Sequence, residues 1–160
     1  MSTRRRLLSV VAVAGAILCS ASCASHAALS ADRRIRITQP GAGDRLGLPV
    51  RLTWTAHDVA IVPPGSERHG AFFGVFIDRP PLKPGQNLLA LVEATCEQTP
   101  GCANNGYFAQ RNVYLTDKTS VVLNGLPEHQ LHRVAIVLID EGGSRIGETV
   151  ATTTFRTKAT

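Results

Sequence analysis

Glu128-His129-x-x-His132 is the densest set of metal-capable side chains in the chain, with one carboxylate and two imidazoles inside five positions. Such groups hold zinc when three or four of them converge on one point. In H-E-x-x-H two imidazoles share a face because a helix carries them, whereas this run follows Pro127 in what reads as a loop. His57-Asp58, His69 and Asp78 could join only through the fold, and each reads more simply as a solvated loop or strand-end residue. No metal or cofactor is expected. Nucleophilic chemistry has as little support: Gly65-Ser66-Glu67 is not a nucleophile elbow, and neither G-x-S-x-G nor S-x-x-K occurs. Gly41-Ala42-Gly43 reads as a turn, since a phosphate cradle needs a helix N-terminus after it. Glu93 and Glu97 could be imagined as an acid and base, but they border a cysteine loop with no partner site. The chain reads as non-catalytic.

The remaining reactive type is cysteine. Cys96-Glu97-Gln98-Thr99-Pro100-Gly101-Cys102 places a Pro-Gly turn between two thiols, which predicts a disulfide closing a tight loop. C-x5-C is not the C-x2-C spacing of zinc knuckles or thioredoxin-like centres.

A disulfide requires an oxidising compartment, and the first 27 residues supply the address. Arg4-Arg5-Arg6 precede an uncharged apolar run from Leu7 to Leu18, and small residues follow to Ser25-His26-Ala27. A basic start, a short apolar core and a small-x-small end are those of an export signal, and the run is short for a membrane span. Thr3-Arg4-Arg5-Arg6-Leu7-Leu8 resembles a twin-arginine export motif with Leu7 in the usual phenylalanine position. Ser20-Ala21-Ser22-Cys23 resembles a lipobox, with Ser20 where leucine is expected. Two leaders therefore stand open: residues 1–27 removed outright, or residues 1–22 removed with Cys23 acylated. The product is expected in the secreted fraction, the periplasm or the cell envelope, and touches a membrane only through an anchor on Cys23.

The formal net charge is +5, and setting aside the three leader arginines leaves +2. Cationic residues are scattered, with Arg33, Arg34 and Arg36 the one cluster, and few aromatics are available to stack on bases, so nucleic acid is not an expected partner. The length after the leader suits one domain, residues 34–160, behind a short lead-in at 28–33.

Short alternating stretches broken by Gly, Pro, Asn and Asp clusters predict an all-β fold. Strands are expected at 34–38, 49–55 with Trp54 in the core, and 71–78, whose Phe72, Phe73, Val75, Phe76 and Ile77 make it apolar on both faces and hence central. Residues 88–92 read as a further short strand, and 112–115 with 119–123 as a hairpin around Asp117-Lys118. Strands at 132–139 and 149–157 complete seven or eight, which argues for a two-sheet antiparallel sandwich. Residues 82–111 form a long excursion containing the disulfide loop.

Thr119-Ser120-Val121-Val122-Leu123-Asn124-Gly125-Leu126-Pro127, followed by His132-Arg133-Val134-Ala135-Ile136, resembles the fifth and sixth strands of fibronectin type III domains. That family has a strand ending in Gly-Leu, a proline-containing corner and, six residues after the leucine, a tyrosine opening the next strand. Trp54 resembles its second-strand tryptophan, and Gly142 to Phe155 its closing hairpin. The resemblance covers about half of the chain after the leader and implies an immunoglobulin-like module. His132 stands where that family has tyrosine, and is expected to close the corner through a backbone or carboxylate contact.

The expected function is a non-catalytic binding or structural module of the envelope or secreted fraction. Its expected recognition surfaces are the loop at 59–69 and the excursion around Cys96 to Tyr107, with Tyr107, Phe108 and Arg111 as contact residues. The alternative is an accessory that presents glycan or a metal ion to an envelope enzyme. The partner is an envelope protein or a glycan that the residues do not name.

Overall fold

The computed structural model describes residues 34–159. The export signal, Cys23 and the lead-in at 28–33 lie outside the described residues.

Two sheets pack face to face. One holds three strands in the order β1 (Ile35–Gln39), β3 (Val50–Ala56), β6 (Ser120–Leu123). The other holds five, in the order β2 (Asp44–Leu46), β8 (Arg145–Thr157), β7 (Leu131–Asp140), β4 (Ala71–Ile77), β5 (Val113–Thr116). The all-β sandwich expected from the alternation is present. Period-two patterning sets its core: Val50, Leu52 and Trp54 point inward from β3, and Phe73, Val75, Val134, Ile136 and Phe155 meet them from the opposite sheet. Trp54 is buried edge-on to Phe73 with ring centroids 5.3 Å apart.

Three expectations are corrected. The stretches 112–115 and 119–123 are not a hairpin: β5 pairs with β4 in one sheet and β6 with β3 in the other, so the chain changes sheets at Asp117-Lys118. A two-residue turn and a sheet crossing demand the same polar residues. Residues 88–92 do not form a strand, because the Asn87 side chain accepts from the Leu89 amide and caps a 3-10 turn over Leu88–Leu91. The pairing is not wholly antiparallel either, since the short, polar β2 runs parallel to the end of β8.

β4 is buried along its whole length, as its two-faced apolar run requires. One face joins the core between the sheets. The other, with Phe72 and Phe76, joins Ala135, Val137 and Ile139 of β7 in a second core, which the excursion covers with Leu82, Leu88 and Phe108. The excursion is therefore a third layer. Two short helices, α1 (Ala94–Glu97) and α2 (Asn105–Ala109), lie within it. Arg145, buried at the start of β8, anchors it by donating to the Leu82 carbonyl, while a second bond to Glu148 O holds the guanidinium on its own strand.

Candidate functional site

The excursion is held internally before it can present anything. Cys96 and Cys102 form the expected disulfide, with their Cα atoms 5.4 Å apart. Asn104 caps α2 by accepting from the Tyr107 amide. Tyr107 Oη accepts from the Glu93 amide at 2.8 Å, and the Arg111 guanidinium bonds Glu93 Oε1 at 2.8 Å while lying 3.7 Å over the Tyr107 ring. Of the three residues expected at a contact surface, Phe108 faces inward at 4% exposure. Tyr107 and Arg111 are half-buried and engaged with Glu93.

Two regions that the sequence separates meet at one concave surface. Pro64 and Gly65 of the 59–69 loop face Asn104, Asn105 and Gly106 of the excursion across a groove of about 720 Å³, floored by Phe72, Leu88, Phe108 and Leu115. The β7–β8 turn at 141–143 closes one end. Asn87 ties the excursion to that turn: its Nδ2 donates to Gly142 O at 2.8 Å and Ser144 Oγ at 3.2 Å, while the Leu88 amide donates to Gly143 O. Leu89 stands on the rim at 63% exposure, a large apolar side chain with nothing over it among the described residues. Asn87 and Leu89 were not singled out from the sequence. The signal available was a lone Asn-Leu-Leu after Pro-Gly, which reads equally well as a strand start.

Glu141 lies on the same groove. His69 Nδ1 meets its Oε1 at 2.7 Å, and the Gly70 amide approaches its Oε2 at 3.4 Å. The His69 hydrogen bond first, then the backbone amides of Glu141 and Gly70, hold the Glu141 carboxyl below the usual glutamate range.

The Glu128, His129 and His132 side chains do not converge. His132 is fully buried, with Nδ1 2.6 Å from Asp78 Oδ2 and Nε2 3.1 Å from Pro127 O, so both ring nitrogens are engaged. The expected corner contact is thus made twice, to a carboxylate and to a backbone carbonyl. His129 and Glu128 are exposed, and His129 takes a left-handed φ of 58°. Among the described residues, no three His, Cys, Asp or Glu side chains are placed to share a metal ion. No described helix is long and apolar enough to cross a membrane.

No protein-family model, curated protein or solved structure matches the chain.

Proposed function

We propose that the chain is an exported, non-catalytic binding module of the cell envelope or secreted fraction, built on an immunoglobulin-like sandwich. The strand division supports the architecture: β1, β3 and β6 oppose β4, β7 and β8, the two-sheet division of immunoglobulin-like sandwiches, with β5 and β2 on the edges of the second sheet. The disulfide and the leader sequence support export.

One observation carries the binding role. The 59–69 loop and the excursion, both candidates for recognition by their length and turn content, line one groove on a rigid two-sheet scaffold. The groove favours a protein segment over a glycan. Its floor is apolar, its rim carries Leu89, and two of its rim amides, Asn87 and Asn104, are spent on internal bonds rather than free for sugar hydroxyls.

The test compares immobilised protein with a Leu89→Glu variant, each exposed to envelope extract and to purified cell-wall glycan. A protein retained by the first and lost by the second supports the groove as the recognition surface. Retention of glycan alone supports the accessory role, and equal retention by both variants removes the groove from the account.

A further inference from the structure

The excursion covers the outer face of the five-stranded sheet at Phe72, Phe76, Val137 and Ile139, but not where β7 begins and β8 ends. A second groove, of about 710 Å³, lies there. It lies toward the start of β7, and its lining shares no residue with that of the Leu89 groove.

Arginines outnumber acids in and beside it. Phe155 and Thr157 are buried, so Arg156 between them points outward; His132 and Val134 are buried, so Arg133 does the same. Arg45 of β2 is the direct cross-strand neighbour of Arg156, and Arg133 is its diagonal neighbour across the Leu131–Arg156 pair. Arg79, just past β4, lines the groove beside Arg133. Four guanidinium-bearing side chains thus cross β2, β8, β7 and the end of β4, three inter-strand spacings or about 14 Å.

None of the four is paired with a carboxylate among the described residues. Arg79 Nη1 donates to Arg111 O and Arg156 Nη1 to His129 O, both at 2.9 Å, which orients them without neutralising them. Asp78 is the acidic residue on the groove wall, and it accepts from the Arg133 amide at 2.8 Å and meets His132 Nδ1 at 2.6 Å. Thr152 and Thr154 add hydroxyls to the floor.

We propose that this groove, lined by Arg79 and Arg133, together with the exposed outer face of β8 and β2 beside it, which carries Arg156 and Arg45, binds an anionic glycan, a saccharide chain bearing phosphate or carboxylate groups that lies across the strands. Like charges in a row are relieved by an occupant whose own charges repeat along a chain, and guanidinium forks match oxyanions in geometry as well as sign. The threonine hydroxyls serve sugar hydroxyls. A flat bilayer reaches Arg79 and Arg133 poorly because they line a recess, and a nucleic acid would find few aromatic side chains for its bases. The Leu89 groove plays no part in this site, so either can fail without the other.

The experiment measures binding of polygalacturonate and of a glycerol-phosphate polymer at about 50 mM and about 200 mM salt, since a contact of this kind is screened. An Arg45→Glu/Arg133→Glu double variant should bind at least about tenfold more weakly. Arg51→Glu, at an exposed arginine on β3 of the opposite sheet, should bind as the parent does. No binding to either polymer at low salt would overturn the proposal. So would equal loss in the Arg51→Glu variant, or tighter binding of polyglutamate, of duplex DNA or of anionic-lipid vesicles than of both glycans.

Discussion

His132 Nδ1 lies 2.6 Å from Asp78 Oδ2, and this contact joins the end of β4 to the start of β7 beneath the β6–β7 corner. Asp78 holds a left-handed φ of 54°, a conformation aspartate tolerates better than most residues. Its second oxygen accepts from the Arg133 amide at 2.8 Å, so one carboxylate fixes both a side chain and the backbone of the facing strand. On the other side of the ring, Nε2 faces Pro127 O, which also accepts from Thr157 Oγ1 at 2.6 Å. Replacing His132 by alanine removes three polar contacts, the third being Nε2 to Thr157 Oγ1 at 3.3 Å, and leaves a void against Phe155, whose ring centroid is 5.4 Å away. The expected loss is about 3 kcal/mol in urea unfolding followed by Trp54 fluorescence, from the cavity left by a fully buried ring and the loss of its hydrogen bonds. A change below about 0.5 kcal/mol would show that the corner does not depend on the imidazole.

Gly74 tests whether the excursion and sheet share a packed second core. A Cβ at this position would lie 2.5 Å from Ile139 Cδ1 and 3.1 Å from Phe76 Cε2. Ile139 and Phe76 are both fully buried, so relief requires moving the core they belong to. Gly74→Ala should lower stability by about 1–3 kcal/mol despite the better strand propensity of alanine. Unchanged or increased stability would mean that the second core is loose.

The Cys96–Cys102 bridge spans six positions, so it restrains little of the unfolded chain. A Cys96→Ser/Cys102→Ser variant should lose about 2 kcal/mol or less, with faster amide exchange confined to the excursion. Exchange rising equally in β4 and β7 would contradict the view of the bridge as a local stiffener.

Glu141 carries a depressed carboxyl, chiefly through its hydrogen bond with His69. A depressed carboxylate contributes stability that is present above the ordinary glutamate range and lost as pH falls through the folded value. The pair is exposed, so the contribution is small. In a carboxyl-carbon NMR titration, Glu141 should titrate below ordinary glutamates, and His69→Ala should move the midpoint upward. An unmoved midpoint would assign the shift to the backbone amides instead.

The sequence disclosed the features that rest on local pattern. The two-faced apolar run of β4 marked a strand covered on both sides, the Pro-Gly between Cys96 and Cys102 marked their bridge, and the step from Leu126 to His132 marked the corner. Features that rest on distant partners were hidden. β2 exists because the end of β8 offers it an edge, and nothing in Asp44-Arg45-Leu46 alternates. Phe108 reads as exposed loop until α2 turns it onto Phe72 and Phe76. Asn87 and Leu89 gain their positions from the β7–β8 turn, more than fifty residues downstream.

The recognition groove is tested most directly by photo-crosslinking in the native host, with a light-activated residue placed at Leu89 or, as a control, at Val122 on the opposite sheet. Both positions are exposed, Leu89 at 63% and Val122 at 38%, so neither substitution disturbs the core. The account predicts one discrete crosslinked protein from Leu89 and none from Val122. The same product from both positions, or none from Leu89, would contradict it.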